Sequence, residues 1–141
     1  MSAVTVTETT WGKDQVAIKS VRVPVFVEEQ LVPFEIDFDD FDATAVHWLA
    51  YDSNLTPIGT ARMLIDGRFG RMAVLKPSRN QGVGRLIMLA AIDYATALGM
   101  PAMFLHAQLP AQAFYQSLGF EPYGEVFRDA GMDHMAMRID L

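Results

Sequence analysis

Apolar positions recur along this chain with two different periods, and each change of period marks a change of element. The first segment, VTVTETTW, has the β-branched content of a strand, and Asp14 follows where it can cap a helix carrying Val16, Ile18, Lys19 and Arg22. Pro24 is expected to kink or end that helix, with VFVEEQ (25–30) resuming as a helical turn. Val32, Pro33, Phe34 and the acidic run Asp37, Asp39, Asp40, Asp42 read as a loop beside an opening. Three segments rich in β-formers come next, at 45–52, 57–65 and 68–75. Ser53-Asn54 and Asp66-Gly67 are turn signals between them, so an antiparallel meander is predicted.

From Gln81 to Leu98 the period becomes helical, with Val83, Leu86, Ile87, Ala90, Tyr94, Ala97 and Leu98 three or four apart on one expected inward face. Gly99 and Pro101 supply the stop. AMFLH (102–106) reads as a short buried strand, and a second helix runs from about Pro110 to Leu118, with Phe114 and Leu118 inward and Gly119 closing it. Segments 123–128 and 134–139 alternate as a closing hairpin around Asp129-Ala130-Gly131. Strand-helix-strand-helix order points to a sheet with flanking helices. The 141 residues suit a single domain over 1–141.

Composition narrows the function. The 51% hydrophobic content is enough for a real core, and the formal charge of −6 opposes the phosphate contacts that nucleic-acid binding needs. With no cysteine, disulfides, thiolate metal sites and a cysteine nucleophile are excluded. No basic segment leads into an apolar run within Met1 to Thr10, and no long apolar stretch follows, so a cytoplasmic protein without a membrane partner is expected. His47 and His106 lie within strands and no histidine-carboxylate spacing suggests a metal, so none is expected. The nine methionines are scattered and read as core filler.

The most informative stretch is MAVLKPSRNQGVGRLIML (72–89), where a strand passes through Arg79-Asn80-Gln81-Gly82-Val83-Gly84 into the long helix. The first turn of a helix has N–H groups without internal partners and a positive dipole end, so it stabilises a phosphate. Gly82 and Gly84 leave room for an anion. Taken alone, two such glycines are better explained as easing a tight strand-to-helix turn. A dinucleotide-binding loop would want a third glycine at Ile87, and a Walker loop would want Gly-Lys-Ser/Thr, which is absent.

With Arg79, Gly82 and Gly84 in an Arg/Gln-x-x-Gly-x-Gly/Ala pattern, the chain resembles the GNAT superfamily of acyl-CoA-dependent N-acetyltransferases. Gly59-Thr60-Ala61-Arg62, Ala113-Phe114-Tyr115 through Leu118-Gly119-Phe120, and Gly131 to His134 extend the likeness over most of the chain. VRVPVFVEEQ, VPFEIDFDDFD and AVHW resemble the ElaA/YjcF-like branch. The resemblance implies an α+β fold in three α/β layers, with a mixed, mostly antiparallel sheet of roughly six to seven strands flanked by about four helices.

It also implies acetyl-CoA as co-substrate, with pantetheine on Met72, Ala73 and Val74 and the diphosphate on Arg79, Asn80, Gln81, Gly82, Val83, Gly84 and Arg85. Val74 N–H would face the oxyanion, Tyr115 would be the general acid, and Gln108 falls where the family often has a pantetheine contact. Tyr115 could instead simply pack beside Phe114, and Gln108 could be an ordinary polar residue at a helix start. An alkyl ammonium must lose a proton before it attacks, and Glu28, Glu29 and His134 are the candidates to take it. The acceptor is expected to be a small-molecule or peptide amine, and exposed sheet edges suit a homodimer. A non-catalytic acyl-CoA sensor of the same fold, or a module whose glycine turn binds nothing, are the alternatives.

Overall fold

β1 (Thr5–Thr10), β2 (Val46–Tyr51), β3 (Pro57–Met63) and β4 (Phe69–Val74) form an antiparallel sheet in that order. This is the computed structural model of the chain; it describes residues 3–141, so Met1 and Ser2 of the N-terminal stretch lie outside the described residues. β2 and β3 are buried nearly throughout because helices cover the sheet on both faces: α1 (Trp11–Arg22) on one, α3 (Val83–Ala97) on the other. β5 (Ala102–Gln108), β6 (Glu121–Asp129) and β7 (Met132–Asp140) make a second antiparallel sheet in the order β5-β7-β6.

The expected strands and mostly antiparallel pairing are present, but they fall into two sheets that meet at an isolated parallel bridge between Arg68 and Phe104. There Phe104 N–H donates to the Gly67 carbonyl at 3.1 Å. Beyond that point β4 and β5 diverge. Gly67, at φ 96°, closes the Asp66-Gly67 turn, and a Cβ there would lie 2.9 Å from the Ala102 carbonyl oxygen, so glycine is what permits this close junction.

Three local expectations need correction. Thr10, not Asp14, caps α1: its hydroxyl accepts from Lys13 N–H at 3.2 Å, while Asp14 sits inside the helix at a kink and accepts from the Thr9 hydroxyl at 2.6 Å. The α-helix ends at Arg22, two residues before Pro24, and the expected resumed turn is present as a π-helical one, Val23–Glu29, in which Gln30 N–H reaches back five residues to Val25. The buried face of α3 is Val83, Ile87, Met88, Ala91 and Ala95, whereas Leu86 and Leu98 point outward. The methionine and alanines on that face share the main core with Ile58, Ala61 and Leu105. α4 is also shorter than expected, Gln112–Ser117, preceded by a 3-10 turn at Leu109–Ala111.

A buried ionic cluster joins α1 to the segment that holds α2 (Phe34–Asp37) and a following 3-10 turn, Asp40–Ala43. Arg22, 1% exposed, bonds Asp42 at 2.7 Å and Asp37 at 3.2 Å, and its guanidinium stacks 4.4 Å from the Phe38 ring centroid. Arg62 completes the network on Asp42 at 2.8 Å and Asp39 at 2.6 Å. Fully buried His47 borders it, donating from Nε2 to the Asp42 carbonyl at 2.9 Å and leaving Nδ1 unpartnered.

Desolvation, with the Arg22 and Arg62 charges, lowers the His47 pKa from its ordinary 6.5. The folded state therefore binds that proton less readily than the unfolded chain, and stability should fall as pH drops through 6.5. Asp42 is desolvated too, but hydrogen bonds and charge from Arg22 and Arg62 outweigh burial and hold it below 3.8, adding a second loss at more acid pH. Urea unfolding from about pH 8 to about pH 5 is expected to show the first decline. His47→Gln, which retains a donor, should flatten it.

Candidate active site: the cleft between the two sheets

The divergence of β4 from β5 begins with a bulge. Arg62 pairs with Gly70 and Thr60 with Ala73, so Arg71 and Met72 together oppose Ala61. Arg71 takes the bulge position at φ 50°, a conformation that costs a non-glycine residue about 1 kcal/mol. Its guanidinium offsets this by bonding the Asp37 carbonyl at 3.0 Å and the Asp37 and Asp39 carboxylates at 3.3 Å. Bulges re-aim a strand, and here β4 turns away from β5 and opens a cleft of about 1120 Å³.

One wall of the cleft is the open edge of β4. Leu75 N–H donates to Ile58 O at 2.9 Å, toward β3, so by antiparallel alternation Val74 turns its N–H and carbonyl to the other edge, facing β5. The Val74 carbonyl accepts from Arg79 Nε at 2.9 Å, and its N–H points into the gap. Ala73 differs: it pairs with Thr60, and its buried side chain packs on Val21 and Val25 under α1.

At the floor, Gly82 adopts φ 81° as the residue before α3, and no side chain caps the helix. The first intrahelical donor is Leu86, to Gly82 O at 3.1 Å, so the N–H groups of Val83, Gly84 and Arg85 are left to the cleft. A Cβ on Gly84 would lie 3.7 Å from Met72 on β4 and 3.7 Å from Phe114 on α4, which places this residue in the throat between the two walls. Asn80, at φ 62°, and Arg85 line the same space. Gln81 turns its side chain back to the Pro77 carbonyl at 3.3 Å.

The far wall carries Tyr115 and the outer face of β5 and β7. Tyr115 packs edge-on to Phe114 and Phe120, with ring centroids 5.1 and 6.1 Å away. It retains some exposure to the cleft, yet the atoms around its hydroxyl desolvate it enough to push its pKa up to about 12. Gln108 donates to the Gln30 side chain at 3.3 Å across the cleft. His134, opposite Gln108 in the β5–β7 register, also faces the cleft.

Three comparisons bear on this architecture. The family model for the acetyltransferase (GNAT) domain matches residues 17–141, which contain both cleft walls and the whole of α3. The chain belongs to the GNAT acetyltransferase family. It is 37% identical to the uncharacterized N-acetyltransferase YjcF of Bacillus subtilis over 85% of this chain and 88% of that protein. It is 33% identical to ElaA of Escherichia coli over 89% of this chain and 86% of that one. The crystal structure of Escherichia coli ElaA superposes with a TM-score of 0.86, covering 97% and 99% of the two chains. An acyl-CoA N-acyltransferase from Pseudomonas aeruginosa superposes at 0.85, with 27% identity and coverage of 97% and 99%.

Among the positions read from the sequence of this GNAT protein, the fold brings Met72, Val74, Arg79, Asn80, Gly82, Val83, Gly84, Arg85, Gln108, Tyr115 and His134 around one cleft. Glu28 is exposed and lies outside it. Glu29 is held by Arg79 through two bonds of 2.6 and 2.7 Å. That hydrogen bonding, with the Arg79 charge, lowers the Glu29 pKa despite some desolvation. The Arg71 bulge and the ionic cluster behind it are not among the expected features. Their available signal was the placing of Arg62 and Arg71 inside strand-forming segments, opposite an acid-rich loop: cations in strands call for buried partners.

Proposed function

We propose that this protein transfers an acetyl group from acetyl-CoA to a primary amine by direct attack, with Tyr115 as general acid. The observation that carries this reading is the convergence of unpaired α3 amides, the open β4 edge and Tyr115 on one cleft. The α3 first turn offers N–H donors and a positive dipole end to a diphosphate, with Arg79 and Arg85 beside them. The β4 edge offers main-chain groups to an extended chain that carries its own amides, and Gln108 offers a side-chain amide opposite.

Acetyl-CoA supplies a thioester carbonyl that a neutral amine can attack. Val74 N–H stabilises the negative charge that develops on the carbonyl oxygen. Tyr115, protonated at neutral pH, gives its proton to the departing sulfur.

Release of free thiol from acetyl-CoA, measured against a broad panel of amines, tests this proposal. Amine-dependent release is the expected result. Thermal stabilisation by acetyl-CoA without transfer to any amine would favour an acyl-CoA sensor instead.

Arg79 adds a second measurable consequence. Glu29 holds the guanidinium but also places a carboxylate beside the site proposed for the diphosphate. Glu29→Gln keeps one hydrogen bond and removes the charge, so the KM for acetyl-CoA should fall about two- to fivefold, and less at high salt.

A further inference from the structure

We infer that His134 is the base that takes the proton from the acceptor amine, an assignment that rests on the acetyltransferase reading above. Its Nδ1 lies 3.0 Å from the Met132 carbonyl oxygen, which can only accept, so Nδ1 carries the hydrogen and the lone pair of the neutral ring is on Nε2. The residue is 7% exposed, and Nε2 makes no hydrogen bond. Yet the only partnerless polar side-chain atom fully sealed from solvent among the described residues is His47 Nδ1. His134 Nε2 therefore reaches open space, and the space its residue borders is the cleft.

The ring is also fixed in orientation. Phe127 on β6 stacks against it, with centroids 5.8 Å apart and planes 24° from parallel, and His106 on β5 meets Phe127 edge-on at 4.9 Å. A base held in one tautomer and one plane, with its lone pair toward the substrate space, has the arrangement general base catalysis requires. The other candidates lack it. Glu29 is committed to Arg79, Asp37 to Arg22 and Arg71, and Asp39 to Arg62 and Arg71. Glu28 is outside the cleft.

In the step assigned here His134 Nε2 first takes one proton from the acceptor ammonium, and the freed nitrogen lone pair forms a bond to the carbonyl carbon. The carbon–sulfur bond breaks, the sulfur takes the Tyr115 hydroxyl proton, and the second proton of the newly bonded nitrogen passes to the tyrosinate. Exchange with solvent removes the proton from His134, leaving the amide and the free thiol.

The titratable and charged groups around this histidine are His106 on β5, Arg128 and Asp129 on β6 beside its register partner Phe127, Asp133 next to it on β7, and Arg68, which also lines the cleft. Arg128 is already paired with Asp133 at 3.3 Å. For His106, desolvation and then the Arg68 charge lower the pKa, which leaves it a poorer proton acceptor than an ordinary imidazole.

The test compares wild type with His134→Gln on an alkyl amine and on a weakly basic acceptor such as a hydrazide. With the alkyl amine, kcat/KM should fall about 10²-fold or more, and the acidic limb of its pH profile should move or vanish. With the hydrazide, neutral without assistance, the loss should be about tenfold or less, and acetyl-CoA affinity should be unchanged. Equal losses on both acceptors, or an unaltered limb, would overturn the assignment.

A ¹⁵N correlation spectrum of wild type reads the tautomer whether or not the variant folds. Hydrogen on Nδ1 supports the assignment, and hydrogen on Nε2 refutes it. Absence of thiol release by wild type with any amine would instead refute the acetyltransferase reading, an outcome separable from either histidine result.

Discussion

Tyr115→Phe is expected to lower kcat about 10²- to 10³-fold while leaving the KM for acetyl-CoA within about twofold. Phenylalanine reproduces the ring contacts with Phe114 and Phe120, so the fold and the cleft should survive the change. What is lost is the one proton the phenol can supply. Burial fixes the size of the effect from two sides. A pKa pushed up to about 12 keeps the hydroxyl protonated across the neutral range, but it also makes the phenol a weaker acid than the thiol it must serve. Proton release therefore has to accompany breaking of the carbon–sulfur bond, as charge gathers on sulfur, and the gain belongs in the lower part of the general-acid range. Steady-state kinetics with varied acetyl-CoA check this, and an unchanged kcat would remove Tyr115 from the chemistry.

Arg22→Ala should destabilise the protein by about 3–5 kcal/mol, because it leaves the Asp37 and Asp42 carboxylates buried without a main partner. For a chain of this size the melting temperature should fall on the order of 10 °C. Asp37 starts from a strained position: desolvation already outweighs its attraction to Arg22 and Arg71 and raises its pKa. Loss of Arg22 adds to that strain and loosens the segment on which Arg71 rests. The bulge and the part of the cleft lined by Ile36, Asp37, Asp39 and Phe41 depend on that segment, whereas the α3 turn does not. The residual folded enzyme should accordingly show a raised KM for the amine and a nearly normal KM for acetyl-CoA. Urea unfolding gives the stability change. A loss below about 1 kcal/mol would mean that Arg62 alone satisfies the acids.

Features encoded by neighbouring residues were legible in the sequence. The Gly82-x-Gly84 turn, the long helix after it, and the Asp66-Gly67 and Asp129-Ala130-Gly131 turns need only a few adjacent residues, and each lies where the pattern placed it. Features that depend on distant partners were not. Arg71 occupies a left-handed bulge because Asp37 and Asp39, more than thirty residues earlier, hold its guanidinium. GRMAV itself shows only a cation within a strand, not the left-handed turn. The rotation of the α3 face has a similar origin: Met88 and Ala91 are buried against the sheet, while Leu86 stays exposed. Pro24 marks the end of α1 and a resumed helical turn, but the π type of that turn is not something the rule for α-helices anticipates. At the site, sequence could propose Glu29 and Arg79 separately, but not that they hold each other.

Everything chemical in this account depends on coenzyme A lying in the gap between β4 and β5 with its diphosphate at the start of α3. A crystal structure with coenzyme A bound tests that most directly. The predicted result is a diphosphate on the N–H groups of residues 83–85 and pantetheine along the open edge of β4 near Val74. Coenzyme A bound elsewhere on the protein, with Gly84, Met72 and Phe114 closed over an empty throat, would contradict it.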